Sequence, residues 1–232
     1  MTDANQSSQN QRLVEPDPRE IVLCIYEPTL DGFAAAWVVR KAFREAEIPV
    51  EFVANANDGE RRDDVGRNVL ILGGPTKLTG EARSWIRFQR DVDVPDTVRG
   101  NPLAFRDWQR VFPYGVKTLV REPQKSAIIS KSASSLVALT WDFFYGDKLS
   151  LKRPFVLDQI DDYIAGTKKF RTTNDVYAVV DSYPQDFVTF GMLVDAGEDR
   201  HRRSFMVTGG QAINRFLAKH AGQQLRIEEA QS

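Results

Sequence analysis

The chain has 232 residues, enough for one α/β unit with appendages at about 150 residues per domain. Hydrophobic residues make up 42% and charged residues 27%, a balance that excludes a disordered or fibrous chain. Thirty-one Lys and Arg against 32 Asp and Glu leave a net charge of -1, so a nucleic-acid role would need a local basic patch.

No apolar run reaches the roughly 18 residues of a membrane span, and the opening residues carry neither the basic flank nor the apolar stretch of a secretion signal. The expectation is a cytoplasmic protein with no membrane partner. Cys24 lies inside an apolar run and is the only cysteine, which points to burial rather than to a disulfide or a thiolate metal site. The two histidines are His201 and His220. Acid–base or metal chemistry before residue 200 must therefore rely on carboxylates.

In chain order, residues 1–18 are rich in Ser, Asn, Gln and Asp and read as a disordered tail. Residues 21–26 form a short, continuously apolar run that fits a strand buried on both faces of a parallel sheet. A helix follows from Gly32, with Asp31 at the N-cap position and Ala36 and Trp37 turned towards the sheet. A second strand is expected at 50–54 and a third at 68–72, ending in Gly73-Gly74-Pro75. The helix-favouring sequence around Glu81, Ala82 and Arg83 predicts a helix over 81–90, and Val92-Asp93-Val94 a further strand. Strands at 116–120 and 127–129 come next. Helices are then expected at 134–144, 155–165, 175–181 and 210–221. The fold class is thus α/β: a doubly wound, mainly parallel sheet with helices on both faces and a helical C-terminal extension.

The junction after the first strand, Tyr26-Glu27-Pro28-Thr29-Leu30-Asp31-Gly32-Phe33-Ala34-Ala35-Ala36-Trp37, places two carboxylates where open α/β sheets bind ligands. It resembles the first motif of the DHH phosphoesterase superfamily, with Asp31, Gly32, Ala35, Ala36 and Trp37 matching and Glu27 standing where a metal-binding histidine is usual. The segment from Thr140 to Gly146 looks like the helix after the family's Asp-His-His loop, and Gln159-Ile160-Asp161-Asp162 like its fourth motif. Ser182-Tyr183-Pro184-Gln185-Asp186-Phe187 and Gly209-Gly210-Gln211-Ala212-Ile213 also have counterparts in relatives. The resemblance implies a DHH-like domain over 19–170, a helical extension with a linker helix over 171–221 and a polar C-terminal tail over 222–232. It also implies cleavage of phosphodiester or phosphoanhydride bonds with two Mn²⁺ ions held by Asp and His.

The chain departs from that pattern in its metal site. Gly73-Gly74 stand where the family has an aspartate, the Asp-His-His triplet is absent, and Tyr163 and Ile164 follow Asp162 in place of arginine and aspartate. The metal ligands that the resemblance leaves are Glu27, Asp31, Asp96 (or Asp93) and Asp162, which at best support one weakly held ion where two cations about 3.5–4 Å apart are needed. No counterpart of the family's substrate-binding second domain is expected in the residues after the linker helix. These departures favour a catalytically degenerate domain that binds or scaffolds, through a protein partner or as a homo-oligomer, and needs no cofactor. The alternatives are a Mn-dependent phosphodiesterase and a non-hydrolytic binder of nucleotide or single-stranded nucleic acid.

Each of these residues also has a plain structural reading. Asp31 can be an N-cap, Gly73 and Gly74 a simple turn or a place for phosphate to approach the backbone, and Asp158, Asp161 and Asp162 the solvated face of a helix. Arg202 and Arg203, with Arg200 and His201, form a basic run suited to phosphate or an acidic partner, or to a solvated loop. A looser basic set between Arg106 and Lys125, interleaved with Trp108, Phe112 and Tyr114, has the composition of a base-stacking surface.

Overall fold

A computed structural model describes residues 21–55, 64–73, 82–90, 125–130, 133–146 and 151–231. The strands are β1 (Val22–Tyr26), β2 (Val50–Ala54), β3 (Asn68–Leu72), β4 (Ser84–Arg90) and β5 (Lys125–Ser130). They form one sheet in the order β2-β1-β3-β4-β5, and every pairing is parallel. The helices described are α1 (Leu30–Glu45), α2 (Leu136–Tyr145), α3 (Phe155–Ala165), α4 (Thr173–Asp181), α5 (Phe187–Glu198) and α6 (Arg200–Gln231). The α/β class with a helical C-terminal part agrees with the sequence reading.

β1 and, after Asn68, β3 are apolar because both faces of the sheet are buried. Alternate residues feed two clusters. Val22, Cys24, Leu70, Leu72, Ile86 and Phe88 face α1 and α2 in the main core, where Phe88 meets Phe143 edge-on at 4.9 Å. Leu23, Ile25, Val69 and Ile71 point to the opposite face, also buried. The described helices that pack on the sheet, α1 and α2, lie on the first face. Cys24 is fully buried, and burial pushes its thiol well up.

Three elements differ from the expectation, one of them α5, which forms over Phe187–Glu198 where no helix was expected. The stretch expected as a helix over 81–90 is strand β4, in register with β3 from Asn68↔Ser84 to Leu72↔Phe88. Its helix-favouring start is overridden by the alternation of buried Ile86 and Phe88 with Arg87 and Gln89, the period of a strand. The final helix begins at Arg200 rather than near Gly210, and continues to Gln231 through the stretch expected as a polar tail. Gly210 permits its contact with α4: an added Cβ would lie 1.9 Å from the Asp175 carbonyl oxygen. Asn214 Nδ2 donates to Asp175 Oδ1 at 3.0 Å across the same seam.

Ala36 is fully buried in α1. Trp37, expected against the sheet, is half-buried and packs on Phe190 of α5 at 5.8 Å. The Ser182–Phe187 segment has structural work: Asp186 caps α5 by accepting from the Val188 and Thr189 amides at 3.0 and 2.8 Å, and Phe187 stacks on Phe33 at 4.9 Å.

Candidate functional site

The strand order reverses direction between β1 and β3, and in an open parallel sheet the crevice outside the carboxyl ends of such strands is where ligands bind. Glu27 follows β1 there, with its amide donating to the Leu72 carbonyl at 3.1 Å. Gly73 follows β3 with a φ of 73°, and an added Cβ would meet Glu27 Cδ at 2.5 Å and Leu136 Cδ1 at 2.6 Å. Glycine is therefore required both by the left-handed backbone and by the packing of Glu27 over it. The Gly73 amide donates to the Phe88 carbonyl at 2.9 Å, so it extends the ladder instead of facing a phosphate.

The N-terminus of α2 closes this crevice. A helix start leaves its first amides without intrahelical acceptors and attracts anions. Here the chain supplies the acceptors itself. Asp31 Oδ2 accepts from the Leu136 amide at 2.9 Å and Oδ1 from the Val137 amide at 3.0 Å. Ser135, the N-cap of α2, accepts from the Ala138 amide at 3.1 Å. Asp31 is 4% exposed; burial raises its carboxyl above the usual range, while the two amides and the Arg90 charge oppose that rise. The N-cap of α1 is Thr29, which accepts from the Gly32 amide at 3.1 Å. Asp31 thus caps α2 from α1, not the helix in which it resides.

Asp161 extends the network. It accepts from both Ser134 and Ser135 hydroxyls, the latter at 2.6 Å, and from Arg153 Nη2 at 2.7 Å. Arg153 Nε also reaches Asp158 at 2.6 Å, and Arg90 Nη1 donates to the Ser134 carbonyl at 3.2 Å. Burial works against the Arg153 charge, but hydrogen bonding to Asp158 and the charges of Asp161, Asp158 and Asp142 hold its pKa up. The sequence reading did not single out Arg153, Ser134 or Ser135 as partners for Asp161. The available signal was an arginine immediately before Pro154, five and eight residues ahead of two aspartates.

Asp162 points elsewhere. It is 2% exposed and accepts from the Thr167 and Thr173 hydroxyls and the Lys169 and Phe170 amides. Burial opposes ionisation, yet these four donors outweigh it and hold the carboxyl far below its ordinary range. The solvated-face reading therefore fails for Asp161 and Asp162, which are buried. Arg203 donates from Nε to the Gly197 carbonyl at 2.7 Å, with its guanidinium 4.0 Å from the Phe155 ring centroid. Arg202 is exposed in the first turn of α6, and its amide is capped by Asp199 at 2.9 Å. The basic run is helical rather than a loop. Gly74, Asp93, Asp96 and the basic–aromatic stretch from Arg106 to Arg121 lie outside the described residues.

Among the described residues, the arrangement does not offer the ligand set of a two-Mn²⁺ centre. No group of three or more Asp, Glu, His or Cys able to hold a metal occurs among the described residues. Asp31 and Asp162, the two aspartates that match the motifs quoted above, accept from backbone amides and hydroxyls of different elements. No described helix is long and apolar enough to cross a membrane.

No protein-family profile matches the chain, and no curated protein matches its sequence. Among solved structures, the crystal structure of RecJ in complex with Mn²⁺ from Thermus thermophilus aligns with 90% of this chain at 8% sequence identity and a TM-score of 0.40. The alignment spans 37% of that chain's length.

Proposed function

We propose that this chain is a DHH-phosphoesterase-like domain that has lost metal-dependent hydrolysis and acts as a binding or scaffolding component. The sequence resemblance centred on Asp31-Gly32 and Ala35-Ala36-Trp37 supports the family reading. The observation that carries the loss of catalysis is the use of both Asp31 oxygens to cap α2. An in-line displacement at phosphorus needs cations that neutralise the phosphoryl oxygens and generate hydroxide. A carboxylate whose two oxygens each already accept from an amide is held towards the helix and away from a cation, and it fills the helix-terminal anion position that a phosphate would use.

The test is hydrolysis of short oligonucleotides, cyclic dinucleotides and pyrophosphate by the purified full chain with excess Mn²⁺. No turnover above background is expected. Mn²⁺-dependent turnover that disappears in Asp31→Asn, with folding intact, would establish an active enzyme with a different ligand set.

A further inference from the structure

On the outer side of α1, its second half, Trp141 of α2, Leu151, Lys152, Pro154 and α5 frame an open cavity of about 540 Å³. That size falls within the roughly 300–1,000 Å³ of ligand-binding pockets. Its lining shares no residue with the crevice of Glu27, Asp31 and Gly73.

Its rim is apolar where a surface is ordinarily polar. Val188 and Met192, one turn apart on α5, are 67% and 68% exposed, and Leu151 across the opening is 41% exposed. Isolated exposed hydrophobic residues are common on soluble proteins, but these three are gathered around one concavity with half-buried Trp37 in its wall.

The same lining carries cations that make no ion pair among the described residues. Lys41 is paired with Glu45 at 2.8 Å, whereas Arg40, Arg44 and Lys152 make no ion pair among the described residues. Arg40 is held 5.2 Å from the Phe187 ring centroid, which orients its guanidinium without neutralising it. Two carboxylates also line the cavity, Asp195 and Glu198. Glu198 accepts from the Phe155 amide at 2.6 Å, and the three cations without an ion pair among the described residues outnumber the two acids.

Tryptophan, methionine and arginine around one concavity are the composition of a protein-binding hot spot. A polyanion would use the cations but not Val188, Met192 and Leu151. A purely apolar segment would leave Arg40 and Arg44 partly desolvated without partners. We propose that this cavity docks an acidic–apolar segment of a partner protein. One or two aliphatic or aromatic side chains would sit between Trp37, Val188 and Met192, with flanking Asp or Glu on Arg40, Arg44 and Lys152. The inference gives a partner chemistry to the binding role proposed above, yet it stands whether or not the Asp31 crevice turns over substrate. Hydrolysis and docking measurements therefore fail independently.

The probes are short fluorescent peptides with fixed leucine and phenylalanine anchors surrounded by no, two or four acidic residues, titrated into the full chain and followed by anisotropy. Affinity is expected to rise about tenfold or more from the uncharged to the four-acid peptide, and to fall about tenfold, or 1.4 kcal/mol, in Arg40→Glu/Arg44→Glu and in Val188→Asp/Met192→Asp. These positions are surface-facing; Lys152→Glu provides a single-site charge change should either pair lower the melting temperature. Absence of saturable binding up to about 1 mM peptide, equal affinity for the uncharged peptide, or displacement by oligo-dT as effective as by unlabelled peptide would each overturn the proposal.

Discussion

Replacing Asp31 separates a structural cap from a metal ligand. In Asp31→Ala, the Leu136 and Val137 amides lose acceptors now at 2.9 and 3.0 Å in a buried setting. Leaving a buried donor unsatisfied costs about 1–3 kcal/mol each, so the loss should be about 2–6 kcal/mol. Asp31→Asn keeps one side-chain oxygen and should lose about half as much. Urea denaturation followed by circular dichroism reads both values as a shift in midpoint at constant slope. A metal-ligand role makes a different prediction. If the wild type held Mn²⁺ with a Kd about 100-fold below the added concentration, binding would stabilise it by about 2.7 kcal/mol. At about 2–4 °C per kcal/mol for a domain of this size, the melting temperature would rise by roughly 5–10 °C. We expect no Mn²⁺-dependent rise. A rise present in the wild type and absent in Asp31→Asn would refute the capping argument.

Asp162→Ala strips the acceptor from two hydroxyls, which can rotate to other partners, and from two amides, which cannot, and should destabilise the chain by at least about 2–6 kcal/mol. Because the folded carboxyl lies below its unfolded value near about 3.9, its contribution is present above that pH and is lost as pH falls towards the folded pKa. An acid titration of stability should therefore be shallower in the variant; identical acid limbs would contradict the assignment. Ala36→Asp introduces an unpaired charge at a fully buried site and should cost at least about 3 kcal/mol. An unchanged melting curve would place Ala36 outside the core. Gly210→Ala drives a methyl group against the Asp175 carbonyl and should separate α6 from α4 with a loss of about 1–3 kcal/mol. Faster amide exchange confined to these two helices is the expected signature, and unaltered exchange would count against it.

Much of the fold was legible locally. The unbroken apolar runs of β1 and β3, the alanine-rich face of α1 and the bounds of α3 follow from periodicity and turn chemistry within a dozen residues. The position of Asp31 and Gly73 at the carboxyl ends of the first and third strands was legible for the same reason. β4 was not, because Glu81, Ala82 and Arg83 favour a helix while the outcome depends on ladders with β3 and β5, the latter some 40 residues further on.

What the sequence alone determined was which residue types stand at the candidate site; what the tertiary structure decided was which atoms they serve. Asp31 finds its donors 105 and 106 residues away on α2, and Asp161 meets Ser135 across a separation of 26. Asp162, its neighbour in sequence, turns instead to the loop before α4. A carboxylate's role depends on the donors and charges within about 4–6 Å of it. Along a chain, that neighbourhood is fixed only after the sheet has set the register and the helices have packed.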